Sequence, residues 1–93
     1  MNLDKSKKRI AKRSKMGFQG YPEISIIYRG TKDNFADEVI VKFVSDEGEN
    51  PMEELFQSKS DARENETIQS AIVKIIERSN AKTVNSSLDI ILK

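Results

Sequence analysis

Seven cationic side chains crowd the start of the sequence: Lys5, Lys7, Lys8, Arg9, Lys12, Arg13 and Lys15. Within residues 1–16 only Asp4 opposes them, so this segment carries +6. Residues 17–93 hold nine basic and fourteen acidic side chains and carry −5. A near-neutral total therefore hides a basic leader on an acidic body. Clustered cations displace counterions from a polyanion, with an affinity that falls steeply in salt. These seven residues are the candidate contacts to nucleic acid or a ribonucleoprotein. The plain alternative is a solubilising leader without a ligand. Polybasic stretches also attract anionic lipid. This one lacks the strong apolar face of a surface-lying helix, so no membrane contact is expected.

The other candidate groups read more simply as structure. Phe18, Tyr21, Tyr28 and Arg29 have types that stack on bases, but Tyr28 also fits a core shared with Ile24 and Ile26. Asp46, Glu47, Glu49, Glu53 and Glu54 offer oxygen ligands to a hard cation. Their spacing is not that of an EF-hand, and a solvated acidic turn explains them. Asp61, Arg63 and Glu64 read as a helix cap with surface charges. Ser86 and Ser87 have no adjacent general base. Gly17-x-x-Gly20 has no Lys-Ser/Thr after it and no strand before it, so it is not a phosphate loop.

Two absences narrow the chemistry. The 93 residues contain no Cys and no His. Thiol nucleophiles, imidazole acid–base groups, serine–histidine triads and the usual zinc sites are excluded. The expectation is a binding module with no enzymatic activity, no catalytic residue, no metal site and no cofactor. No run approaches the roughly 18 apolar residues of a membrane span. The charged start lacks the apolar stretch of a secretory signal. A cytoplasmic location is expected.

The elements that position these groups follow from periodicity. Residues 1–20 have few apolar side chains, and Ile10 finds only Ser14 at helical spacing. They are read as a disordered arm, with residues 21–93 as one domain. Pro22 ends the arm. Residues 23–29 alternate, with Ile24, Ile26 and Tyr28 on one face, and form a first strand. Residues 38–44 form a second, with Val39, Val41 and Phe43 on its better face. A long-looped antiparallel hairpin joins them. Asn50 and Pro51 look like a cap and first helical residue. Met52, Leu55 and Phe56 at i, i+3 and i+4 predict a short helix ending near Ser58. A longer helix follows, capped by Asp61 with Glu64 at its third position. Its stripe is Ile68, Ala71, Ile72, Ile75 and Ile76, and Asn80 suits a left-handed C-terminus. Extended structure resumes at Lys82, and Leu88 to Leu92 form an apolar end.

This order predicts an α+β two-layer sandwich, β-β-α-α-β. Its three-stranded mixed sheet carries the helices on one face, and the third strand runs parallel to the second. So small a core makes a homodimer the second functional reading.

One ordered series of residues has a wider likeness. It comprises Tyr28-x-Gly30, the valine-rich strand, Glu47-Gly48 with Pro51, Leu55-Phe56, Asp61-x-Arg63, and Lys82-x-Val84. In this the sequence resembles a set of small bacterial proteins with no assigned function, over roughly residues 21–92. The resemblance implies a bacterial, cytoplasmic, single-domain protein and no catalytic role. Members of that set carry a Cys-Pro-His segment and further Cys. With no Cys here, no metal site is implied.

Overall fold

The structure is a computed structural model and describes residues 2–93. Its elements are helix α1 (Leu3–Ser14), strands β1 (Glu23–Gly30), β2 (Glu38–Val44) and β3 (Met52–Gln57), a 3-10 turn (Ala62–Glu64), helix α2 (Glu66–Ser79) and strand β4 (Thr83–Leu92). The expected α+β class and mixed sheet hold. The sheet has four strands rather than three, in the order β3-β2-β1-β4. The element order is α-β-β-β-α-β, not β-β-α-α-β.

Strands β1 and β2 pair antiparallel, with Ile26 opposite Val41 and Tyr28 opposite Val39. Alternation then puts Ile24, Ile26, Tyr28, Val39 and Val41 on one face, and all five are buried. Both helices cover this face. Within α2, Ile68, Ile72 and Ile76 are buried, while Ala71 and Ile75 are half-buried along one flank. Asn80 ends the helix at φ 55°, in the left-handed region expected of it.

Residues 52–57, expected as a helix, form the edge strand β3, antiparallel to β2. The i, i+3, i+4 spacing of Met52, Leu55 and Phe56 is overridden by cross-strand pairing. Phe56 meets Val39 on the helix side, Leu55 meets Ile40 on the open side, and Glu53 lies opposite Lys42. Opposite charges facing each other across strands favour that register. Asp46 to Glu49 form the tight turn between β2 and β3, with Gly48 at φ 80° and the Glu49 amide donating to the Asp46 carbonyl at 3.1 Å.

The last strand also differs from expectation. β4 lies parallel to β1, not to β2. β3 occupies the outer edge of β2, so the chain leaving it crosses the sheet through α2 and lands on the free edge of β1. Asp61 does not cap the long helix. It caps the 3-10 turn, accepting from the Arg63 amide at 3.0 Å. Asn65 then caps α2, its Oδ1 accepting from the Ile68 amide at 3.1 Å. Gly30 is required by close approach: a Cβ there would stand 2.1 Å from the Phe35 carbonyl oxygen.

The largest correction concerns the N-terminus. Residues 3–14, expected within a disordered arm, form α1 and pack against α2 and β4. Ile10 belongs to the same core cluster as the strands, so the division at residue 20 separates no independent core. Asn2 caps the helix, accepting from the Lys5 amide at 2.9 Å. Ser6, fully buried, meets Ser70 of α2 hydroxyl to hydroxyl at 3.3 Å. A small polar residue and one isoleucine thus dock the helix, a contact that a search for apolar stripes overlooks.

Ile72 has no exposed surface. Ile72→Ala should lower the unfolding free energy by about 2–5 kcal/mol, measured by urea titration. Ile91→Ala, on an exposed side chain, should change it by about 0.5 kcal/mol or less.

Candidate nucleic-acid interface

Helix α1 sorts its cations by direction. Lys7 donates to both carboxylate oxygens of Glu64, at 2.5 and 2.7 Å. Arg9 pairs with Glu77 at 2.9 Å. The Arg13 guanidinium donates to the Ala81 carbonyl. Residues 6, 7, 9 and 13 thus meet residues 70, 64, 77 and 81, numbers that rise broadly together, so α1 and α2 run parallel. Exposed ion pairs of this kind are each worth roughly 0–1 kcal/mol. Their value here is orientation: they fix which side of α1 faces inward.

The outward side is then determined. Lys5, Lys8, Lys12 and Lys15 are all exposed. Lys15 is the C-cap residue, still in helical conformation. Their spacing of three, four and three residues places them within roughly 80° of arc, at about 100° per residue. They form one stripe about 15 Å long at the helical rise, opposite buried Ser6 and Ile10. The seven candidate residues therefore divide. Lys5, Lys8, Lys12 and Lys15 come together as a surface, while Lys7, Arg9 and Arg13 bind the helix to the body. The spacing that makes the stripe was present in the sequence. It is hidden when helices are sought only by their apolar face.

The other candidates are placed as follows. Tyr28 is buried in the core, 1 % exposed, with its hydroxyl accepting from Gln69 Nε2 at 2.8 Å. Burial raises its pKa above the ordinary phenol value, and the Gln69 bond opposes that rise. Phe18 and Tyr21 pack edge to face at 5.4 Å beside the end of α1, and Phe18 remains largely exposed. Among the described residues, no three carboxylates converge on a position that could hold a metal ion. The acidic turn Asp46–Glu49 lies between β2 and β3, on the side of the sheet away from α1, which packs on β4. The acidic turn is thus set apart from the stripe, whereas Glu64 and Glu77 lie against α1 as the partners of Lys7 and Arg9. Also among the described residues, no helix is long and apolar enough to cross a membrane.

Arg63 braces the region next to the stripe. Its Nε and NH2 donate to the two carboxylate oxygens of Asp61 at 3.0 and 2.7 Å. Its NH1 donates to the Leu88 carbonyl at 2.8 Å. Between Ile26 and Tyr28 the β1–β4 register slips, so that Ser86 and Ile90 flank an irregular segment containing Leu88. Arg63 pins that segment to the turn before α2. A search of family models, curated proteins and solved structures finds no match to this chain.

Hydrogen bonding from Arg63 holds the Asp61 carboxyl below its ordinary range, against an opposing effect of burial. A depressed folded-state pKa means that the stabilisation is complete above the unfolded value and is lost as pH falls through the folded one. Asp61→Asn keeps a capping side chain and removes the charged fork. It should cost about 1–3 kcal/mol at neutral pH. That difference should shrink towards about pH 3, as read from urea unfolding at both pH values.

Proposed function

We propose that this protein is a non-enzymatic binding module that contacts nucleic acid, or the nucleic acid of a ribonucleoprotein, through the outer face of α1. The observation that carries the reading is the stripe Lys5, Lys8, Lys12 and Lys15. It is held outward by the inward pairings of Lys7, Arg9 and Arg13. Four ammonium groups at near-regular intervals along about 15 Å of helix suit a phosphate backbone. Phosphate contacts position a protein without reading sequence. The stripe is pre-formed, so binding requires less ordering than a flexible arm would. The acidic turn is on the far edge of the sheet, and Glu64 and Glu77 are paired with Lys7 and Arg9, which leaves Asp4, exposed one turn before Lys8, as the acidic group on the flank of the stripe. A bacterial, cytoplasmic setting is part of this proposal.

Deleting residues 1–16 would uncover the core at Ile10 and confuse binding with folding. The cleaner variant replaces Lys5, Lys8, Lys12 and Lys15 together by Gln, a good helix former. Wild-type affinity for a generic duplex should fall roughly hundredfold between about 50 and 200 mM salt, with a log–log slope near −3.6 for four neutralised phosphates. The fourfold variant should lose that slope, while Lys74→Gln on α2 should keep it. Salt-independent binding, or equal binding by the fourfold variant, rules the reading out.

The second reading is a homodimer through the outer edge of β3. Among the described residues that strand pairs only with β2, and Met52 and Leu55 are exposed on it. Antiparallel self-pairing centred on Leu55 would join the open-face row Ile27–Ile40–Leu55 to its copy and set Glu53 against Gln57. Centring on Glu54 would oppose like charges. Light scattering should show a mass that doubles with concentration and returns to one chain in Leu55→Lys. A constant single-chain mass removes this reading.

A further inference from the structure

A hollow of about 330 Å³ lies between α1 and β4. Its size is at the low end for small-molecule pockets. It exists because β4 leaves regular pairing after Ser86, just where α1 crosses it. Arg63 holds the displaced segment by the Leu88 carbonyl, so the opening is built into the fold.

The chemistry of its lining is graded. Ile10, Ala11 and Leu88 supply apolar walls. The floor is polar, with the Tyr28 hydroxyl and the Gln69 amide. That hydroxyl accepts from Gln69, which leaves its own proton to donate, and burial keeps it protonated at neutral pH. Ser14 and Ser86 add hydroxyls. At the rim stand Lys8 and Lys15, two members of the exposed stripe. A hydrocarbon chain would match the walls but give the Tyr28 hydroxyl proton nothing to bond. A flat, hydrogen-bonding ring attached to a phosphate matches walls, floor and rim together.

We propose that this cavity receives the base of a nucleotide whose phosphate is held by Lys8 and Lys15. The proposal rests on the nucleic-acid reading of the stripe and adds to it a preference for single-stranded segments, whose bases can turn outward. The remaining stripe lysines, Lys5 and Lys12, follow the adjoining backbone. The base lies between Leu88 and the Ile10 side of α1, with a hydrogen-bond acceptor on its edge facing the Tyr28 hydroxyl.

The test compares oligothymidylate with an abasic phosphodiester strand of the same length, by fluorescence anisotropy at constant salt. The base-bearing strand should bind roughly tenfold more tightly, the change that about 1.4 kcal/mol of contact between base and cavity gives. The two salt slopes should be alike. Ser86→Leu, which fills the cavity and leaves every stripe lysine in place, should bring oligothymidylate down to the abasic level. Should that variant fail to fold, saturable uptake of thymidine monophosphate by wild type, abolished by replacing Lys8 and Lys15 with Gln, serves the same purpose. Equal affinity of wild type for the two strands overturns the base pocket while leaving the stripe standing. So does displacement of bound oligothymidylate down to the abasic level by dodecanoate without any effect from thymidine monophosphate. Failure of both strands to bind at low salt removes stripe and pocket alike.

Discussion

The docking of α1 onto α2 governs most of what this molecule presents to solvent. One isoleucine and one buried serine make the contact. Ser6 meets Ser70 of α2, and Ile10 joins the core cluster beside Val73 and Ile76 of the same helix. Three cations on the inner flanks then select a single rotation of the helix about its axis. Without that rotation the remaining lysines would have no common direction. The basic surface is therefore a product of packing as much as of composition.

The same docking explains the distribution of polar groups inside a small core. Gln69 is buried because α1 covers that side of α2, and it answers its desolvation with bonds to the Tyr28 hydroxyl and the Ala62 carbonyl. Glu38 is buried near the same end of β1, one position along from Val39 and so on the other face of the sheet, where Arg29 and Lys93 lie 3.2 Å from its carboxylate. Buried polar groups are tolerated when they have partners. Two of those partners, Tyr28 for Gln69 and Lys93 for Glu38, come from segments far away in sequence, which ties α2 to β1 and the end of β4 to β2.

Legibility in the sequence followed the strength of the apolar signal. The alternation of residues 23–29 and 38–44 gave β1, β2 and their inward face, and the isoleucine spacing gave α2 and its end at Asn80. Tyr28 was identified as a core candidate on the same ground. β3 is hidden because its three apolar residues satisfy a helical period while also fitting an edge strand. α1 is hidden because its buried face is a serine and an isoleucine, and nothing local announces that Ser70 lies opposite. Of the candidate surface, the residue types were evident and their division into inner and outer sets was not. The hollow beside Leu88 depends on a register slip between strands some sixty positions apart, which no local pattern encodes.

The acidic hairpin turn, between β2 and β3, and the lysine stripe, on the helix that packs on β4, belong to opposite edges of the sheet in a body only 33 × 28 × 19 Å in extent. Such a particle is a permanent electric dipole despite its near-zero net charge. A charged surface exerts a torque on it before it exerts much pull. At distances comparable to the screening length of about 8–10 Å, it would turn to favour one edge, so its first touch would be biased in orientation. Neutral overall charge then limits indiscriminate adhesion, while the internal polarity preserves aim.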